Sequence, residues 1–226
     1  MRPVAFSRKA LALTFGLCLA VAAPAHAQQS LSIAPNGSTA APNLWGSSDN
    51  RNFGQTFRAP NAGNLGVSSV EFQLRQIGGT GPATYWGGIW AWDATTRTPN
   101  GIQMSQSAPY AASASVDTPS AGTMTTVRLP MTSAVALTPG GQYVLVLRTY
   151  AGDDTASFRL LGDSSNPYAE GDNVYSTTFS IADPGYTVNE GFDLSMIIEF
   201  ASLGPDAANT WLGLQANSNA VRSVLT

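Results

Sequence analysis

Short runs in which apolar and polar residues alternate restrict the fold of this chain more than any other feature. The clearest run is GFDLSMIIEF, near the C-terminal end. Its apolar positions share one parity, with Ile197 as the exception: Phe192, Leu194, Met196, Ile198 and Phe200. Its polar positions share the other parity: Asp193, Ser195 and Glu199. Because successive side chains of a strand point to opposite faces, this period of two predicts a strand with one buried and one solvated face.

Further runs of this kind occur along the chain, separated by sequences that favour turns. SSVEFQLRQI and TTVRLP alternate in the same way, whereas QYVLVLRTY is apolar on both faces and is typical of a central strand. NAGN, TPNG, TPGG and GDSSNP lie between such runs and are rich in turn-forming residues. We therefore predict an all-β fold, an antiparallel jelly-roll-like β-sandwich of eight or nine strands, over residues 51–202. Residues 28–50 are expected to be a lead-in segment with at most one short strand.

The first 27 residues have the organisation of a secretory signal peptide. Basic residues come first, an apolar run too short to span a bilayer follows, and Ala25-His26-Ala27 matches a cleavage site. Cleavage there would remove every cysteine, histidine and lysine of the chain: Cys18, His26 and Lys9. The mature chain would then be unable to form cysteine nucleophiles, Ser-His-Asp triads, histidine zinc sites, lysine Schiff bases or disulfides.

The charge of the mature chain argues against nucleic acid and anionic membrane surfaces as partners. Eight arginines and 14 carboxylates remain after cleavage, which gives a formal net charge of −6. Domains that bind nucleic acid usually carry the opposite balance. After the signal peptide, no stretch is long and apolar enough to predict a membrane span.

Residues 203–226 differ from the rest because their apolar and small residues recur with a helical period. Spacings of four, three, four, three and four residues separate Ala207, Trp211, Leu214, Ser218, Val221 and Leu225. Pro205 and Asp206 stand where the start of a helix is expected. The stripe predicts a helical tail or linker. It runs to the last residue without a cap, which leaves two interpretations: a frayed terminal helix, or a chain that continues into another domain.

Three motifs resemble a bacterial secreted β-sandwich module of jelly-roll type. They are Gly54-Gln55-Thr56-Phe57, Ala91-Trp92-Asp93, and Leu137-Thr138 followed by Gly141-Gln142-Tyr143. The resemblance covers about residues 50–200 and implies a module of unassigned activity on a secreted or anchored protein. The tail is similar to the segment before the outer-membrane barrel of autotransporters. These resemblances imply export from a Gram-negative cell, either as a secreted protein or to the outer-membrane surface. If the chain is a fragment, they also imply a covalently continuous barrel domain.

Four aromatic residues of TYWGGIWAWD are the candidate ligand-binding residues: Tyr85, Trp86, Trp90 and Trp92. The three tryptophans share one parity of the predicted strand, and Tyr85 and Ile89 share the other. If the tryptophan parity faces inward, the rings fill the core, and we favour this interpretation because large aromatic residues usually contribute to core packing. If it faces outward, the rings form an exposed strip of the kind that binds a glycan.

Carboxylates supply the remaining candidate sites. Calcium favours oxygen-rich loops, so a structural calcium ion would use loops that carry Asp153, Asp154, Asp163, Glu170, Asp172 and Asp183. A glycoside hydrolase would need two carboxyl groups about 5–10 Å apart. They would come from outward strand faces and be drawn from Glu71, Asp193 and Glu199.

The sequence identifies no acid–base pair, so we name no catalytic residue. We expect a non-catalytic extracellular module with weak affinity for a glycan or another extracellular ligand. Two alternatives stay open: a carboxylate glycosidase, and a purely structural passenger of an autotransporter-like protein.

Overall fold

The computed structural model describes residues 29–43, 45–46, 52–78, 83–112, 124–149, 157–177 and 186–203, and all of the regular structure in these ranges is β-strand. The strands are β1 (Gln29–Ile33), β2 (Thr39–Ala40), β3 (Trp45–Gly46), β4 (Asn52–Arg58), β5 (Leu65–Gly78), β6 (Ala83–Asp93), β7 (Thr98–Gln106), β8 (Tyr110–Ala112), β9 (Met124–Pro130), β10 (Gln142–Thr149), β11 (Ser157–Asp163), β12 (Asn173–Ser176), β13 (Thr187–Asn189), β14 (Asp193–Leu194) and β15 (Met196–Ser202). The prediction of an all-β fold is confirmed. Within the described ranges, no helix meets the length and hydropathy of a membrane span. The predicted signal peptide (1–27) and all but the first residue of the predicted helical tail (203–226) lie outside the described residues.

The strands form two sheets, and every pairing between them in the described chain is antiparallel. The eight-stranded sheet has the order β1-β15-β5-β11-β14, with β2 and β3 on β11 and β9 on β5. The seven-stranded sheet has the order β13-β12-β4-β10-β6-β7, with β8 on β6. The antiparallel part of the prediction is therefore confirmed as well.

The main core lies between the two sheets and takes side chains of one parity from most strands, whereas in β5 the buried parity changes between Val67 and Val70. Phe57 of β4 and Phe200 of β15 meet across it, with ring centroids 6.3 Å apart. The alternation expected in the last strand is present, because Met196, Ile198 and Phe200 are buried in this core. The apolar strand QYVLVLRT is β10, which lies between β4 and β6 as a central strand should.

The prediction of at most one strand in residues 28–50 is wrong. Three strands, β1 to β3, lie in this segment, and its side chains at Ile33, Ala41 and Trp45 are fully buried in the main core. The Trp45 ring contacts Tyr85 and Phe158 at centroid distances of 5.5 and 5.9 Å. The sequence does not predict the three strands because they are short and mostly polar. They form by pairing with β15 and β11, which come much later in the chain.

A buried polar cluster ties the two sheets together at one end of the core. Gln55 Nε2 of β4 donates to Asp193 Oδ1 of β14 at 2.8 Å, and Leu194 N donates back to Gln55 Oε1 at 2.9 Å. Tyr168 N donates to the other oxygen of Asp193 at 2.8 Å. Burial raises the pKa of Asp193 above its ordinary value, although these hydrogen bonds from Tyr168 and Gln55 act in the opposite direction.

The expected outward position of Asp193 is therefore wrong. The run GFDLSMIIEF is divided at Ser195, because β14 pairs with β11 whereas β15 pairs with β5. At this change of partner the strand parity does not separate buried from exposed residues, and Asp193 and Leu194 are both fully buried.

Candidate functional site on the outer face of the seven-stranded sheet

The orientation of β6 decides which of its aromatic residues can meet a ligand. Tyr85 and Ile89 point into the main core and are 1% and 0% exposed. The favoured expectation that the tryptophan parity faces the main core is therefore wrong. The inner side of β6 looks sparse in sequence, but the side chains of Leu129, Leu145 and Leu147 fill the space next to Gly87.

The three tryptophans instead belong to a second apolar layer, on the outer face of the same sheet. We call this layer the tryptophan face, and its members are Trp86, Trp90, Trp92, Val144, Val146, Val174, Tyr186 and Val188. Strand register places them together, since residues paired in an antiparallel sheet share a face. Trp90 pairs with Val144 across β6 and β10, and Val188 pairs with Val174 across β13 and β12.

Exposure differs among the members of the tryptophan face. Trp90 is 4% exposed and Tyr186 is 7% exposed, whereas Trp86 and Trp92 are half-buried. The six-membered ring of the Trp90 indole lies directly over Gly88. A Cβ added at that glycine would overlap the ring. Of the four aromatic candidates, Trp86 and Trp92 are the ones whose rings a ligand can reach.

Tyr186 covers the middle of the tryptophan face. It precedes β13, yet its ring meets Trp92 of β6 edge-on, at a centroid distance of 6.3 Å and an interplanar angle of 85°. Three strands, β12, β4 and β10, lie between β13 and β6 in the sheet, so this contact crosses above them. The valines beneath, Val144, Val146 and Val174, are consequently fully buried.

Arg148 gives the tryptophan face a positive charge at one end. It is directly opposite Trp86 in the pairing of β10 with β6, and its Cζ lies 4.8 Å from the centroid of the Trp86 ring. This is the geometry of a cation–π contact. Burial lowers the pKa of Arg148 below its ordinary value, and the nearby Tyr186 phenol acts in the opposite direction.

Tyr85 is separated from the other three candidates. Its ring stacks on Tyr110 at 5.2 Å and lies against Trp45 and Phe72 on the core side of the sheet. A ligand on the tryptophan face could not reach it, so Tyr85 supports the site only by fixing β6 to the core.

The three candidate glycosidase carboxylates do not converge on one cleft. Glu71 and Glu199 lie on the outer face of the eight-stranded sheet, where Glu71 pairs with Ile197 and is a diagonal neighbour of Glu199. Glu199 accepts a hydrogen bond from Arg128 at 3.0 Å. Asp193 lies in the interior and bonds to the other sheet. A small depression beside Glu71 is lined by Pro35, Gln73 and Ser195, and Glu199 is not part of its lining.

The acidic loops within the described residues use their carboxylates in local contacts. Asp163 accepts a hydrogen bond from the Ser165 backbone N–H at 2.8 Å, which lowers its pKa, and Glu170 forms an ion pair with Arg58 at 3.6 Å. Burial raises the pKa of Asp172, with Glu190 adding to the effect. Among the described side chains, no three His, Cys, Asp or Glu residues are grouped as a metal site. The calcium candidates Asp153, Asp154 and Asp183 lie outside the described residues.

Sequence analysis did not identify Arg148, Tyr186 or the valines as members of the site. One signal for the valines was present: QYVLVLRTY is apolar on both faces, which requires an apolar layer on each side of that strand. Arg148 has the parity of Val144 and Val146 in the same strand and could have been placed with them. Tyr186 follows a turn and carries no periodic signal.

Comparison with known proteins gives little further information. Neither a family model nor a curated protein matches this chain. A structure of a clostridial cysteine protease, Cwp84, after propeptide cleavage is similar with a TM-score of 0.48 and 11% identity, over 77% of this chain and 40% of that one. A structure of the cysteine protease and lectin-like domains of Cwp84, a surface layer associated protein of Clostridium difficile, gives a TM-score of 0.42 and 10% identity, over 68% and 33%. This chain thus spans less than half of either protein, and similarities at this level carry no argument about its fold or function.

Proposed function

We propose that this protein is a non-catalytic extracellular jelly-roll-like β-sandwich module, secreted or displayed on a bacterial surface, that binds a glycan on the tryptophan face. The observation that carries the proposal is that two partly exposed indoles, Trp86 and Trp92, belong to an apolar layer outside the main core. A sheet needs only one apolar face to pack against its partner, so a second layer with accessible aromatic rings favours a binding surface over core packing alone.

The layout of the two indoles favours an extended ligand. Trp86 and Trp92 are six residues apart in β6, so their Cα atoms are separated by roughly 20 Å at about 3.4 Å per residue. A single sugar cannot contact both rings at that separation, whereas an oligosaccharide chain lying along the strand can. The apolar sides of sugar rings would pack on the indoles, and the buried Trp90 would hold the surface rigid.

Binding to polysaccharides tests the proposal directly. We expect Trp86→Ala and Trp92→Ala each to weaken binding about 10-fold or more, because aromatic residues often account for more than about 1.4 kcal/mol of affinity. Affinity electrophoresis in gels that contain single polysaccharides measures the effect. Met124→Ala is the matched control, since Met124 is 56% exposed and lies on the other sheet.

Two results would contradict the proposal. Unchanged affinity in both tryptophan variants would place the ligand elsewhere, and binding to no polysaccharide would favour the purely structural passenger. Because truncation of a half-buried ring can also unfold the protein, Trp86→Phe and Trp92→Phe are measured too. These variants keep a ring and should recover part of the affinity. Release of reducing sugar that Glu71→Gln or Glu199→Gln abolishes would instead establish the glycosidase.

A further inference from the structure

The row of residues at one end of the tryptophan face differs chemically from the rest of that face. Trp86 of β6, Arg148 of β10 and Asn52 of β4 are direct cross-strand neighbours in this row. Ser176 of β12 continues it beside Asn52. Asn52 and Ser176 are buried, so Arg148 is the polar side chain of this row that a ligand can reach, and it lies next to the partly exposed indole of Trp86. The centre of the face, in contrast, consists of valines and aromatic rings.

Stacking on Trp86 leaves Arg148 with a defined way to bind a ligand. The indole lies 4.8 Å from the guanidinium carbon, and Arg148 is half-buried in the sheet. A guanidinium offers its N–H groups in its own plane, as a fork that matches the two oxygens of a carboxylate. An anion that binds there would also offset the cost of holding the charge away from water, a cost that is visible as the lowered pKa of Arg148.

Two acidic side chains of the described residues, Glu170 and Glu190, are paired with arginines outside this row. Glu170 forms its ion pair with Arg58, and Glu190 forms its ion pair with Arg97 at 2.8 Å. Arg58 lies at the other end of β4, six residues from Asn52, which corresponds to roughly 20 Å along the strand. That distance exceeds the Debye length of about 8 Å at physiological ionic strength, so Glu170 contributes little repulsion toward an anion bound at Arg148.

Resting on the proposed function, we propose that the ligand is an acidic glycan that contains uronic acid residues. The carboxylate of one residue binds Arg148, and the apolar face of the same or the adjacent sugar packs on Trp86. The net charge of −6 on the mature chain does not prevent this, because screening confines most of the repulsion to short range.

A pair of polymers that differ only in the carboxyl group tests the inference. Polygalacturonate is compared with the same polymer after reduction of its carboxylates to primary alcohols, at one fixed ionic strength, by isothermal titration calorimetry. We expect the full chain to bind polygalacturonate about 10-fold more tightly, which corresponds to about 1.4 kcal/mol. Arg148→Gln should abolish the preference, so that the variant binds both polymers with the same affinity. Arg148→Lys should retain a part of it, because lysine keeps the charge but not the planar fork.

Arg97→Gln is the matched control, since it also removes one arginine but acts at the Glu190 ion pair. It should keep the full preference.

Equal affinity of the unaltered protein for both polymers would overturn the acidic-glycan inference and leave the proposed function standing. A preference that survives in Arg148→Gln would overturn it as well, because the carboxylate would then bind elsewhere. Binding to neither these polymers nor any neutral polysaccharide would overturn the proposed function itself. If Arg148→Gln fails to unfold cooperatively in urea, the polymer comparison on the unaltered protein and on Arg148→Lys decides the matter.

Discussion

Gly87 and Gly88 are neighbours in β6, yet a side chain added at each would enter a different apolar layer. At Gly87 a Cβ would lie 3.3 Å from Leu129 Cδ1, the end of a flexible side chain on the core side. At Gly88 a Cβ would overlap the Trp90 ring and the side-chain amide of Gln103 on the outer side. Gly88 is therefore required for the observed position of the Trp90 ring, and Gly87 is not.

Gly88→Ala should displace Trp90 and destabilise the protein by about 1–3 kcal/mol, the usual cost of overpacking. The urea midpoint measures the loss, and a shift of tryptophan emission reports the displaced ring. Gly87→Ala is the matched control and should change the midpoint little, because a small strain against Leu129 is opposed by a gain of about 0.4–1 kcal/mol from restricting the unfolded chain. If Gly88→Ala and Gly87→Ala gave the same results in both measurements, the Trp90 ring would not pack against Gly88.

Asp193 should make stability depend on pH in the mildly acidic range. Its pKa in the folded protein is raised above the ordinary value of 3.8 by burial, with Asp172 and Asp163 adding to the effect. A raised pKa means that folding favours the protonated form, so this contribution to stability is present below pH 3.8 and is lost as pH rises through the folded pKa. Asp172, whose pKa is also raised, acts in the same direction.

Unfolding in urea at a series of pH values tests this expectation. In Asp193→Asn the decline of the unfolding free energy above pH 3.8 should be weaker than in the unaltered protein. Asp93→Asn is the control. Hydrogen bonds from Thr96 and Thr95 lower the pKa of Asp93. The change in unfolding free energy that Asp93 causes should therefore occur at pH values below 3.8. Parallel pH profiles for the unaltered protein and Asp193→Asn would contradict the assignment.

Strands with one buried face were predictable from sequence, and strands held by distant partners were not. The alternation in β5, β9 and β15 reports a local property, the burial of every second side chain, and it matches the structure at Val70, Phe72 and Ile198. In β1 the pattern is limited to Leu31 and Ile33, and β3 has only 2 residues, so neither predicts a strand by itself. They become strands because β15 and β11 offer them unpaired edges, and that information is not local to residues 29–46.

The candidate site shows the same limit at the level of β6. Sequence parity grouped Trp86, Trp90 and Trp92 correctly on one face, since parity is a property of the strand itself. It did not determine which face turns inward, because that choice depends on the register with β10. Pairing of Gly87 with Leu147 and of Ile89 with Leu145 assembles the inner layer, and only then are the tryptophans assigned to the outer one.

At the scale of the whole molecule, the seven-stranded sheet separates two apolar layers. Leu145 and Leu147 of β10 point into the main core, while Val144 and Val146 of the same strand belong to the tryptophan face. A change in one layer therefore acts on the backbone that supports the other. This arrangement keeps the accessible indoles on a rigid support, as a preformed binding surface requires.

A chain shortened to begin at residue 51 should be far less stable than one that begins at residue 28. The shortened chain lacks β1 to β3 and therefore loses the buried side chains of Ile33 and Trp45 from the core. Removal of a buried tryptophan alone costs about 3–5 kcal/mol, which is comparable to the whole stability of many domains. Urea unfolding followed by circular dichroism compares the two chains. Equal midpoints would show that residues 29–46 are dispensable for the fold.

The pairing of β1 with β15 joins the first and the last of the described strands. Gln29 lies opposite Phe200, so the polypeptide enters and leaves the domain at neighbouring points on one edge. Such a domain can be inserted into a loop of a host protein without stretching that loop, and its ends can be linked to make a circular permutant. It also cannot complete its eight-stranded sheet on the ribosome until the final strand has emerged. Throughout that delay, the exposed edge of β1 is available to strands of other chains, and a chaperone that shields it would raise the yield of folded protein.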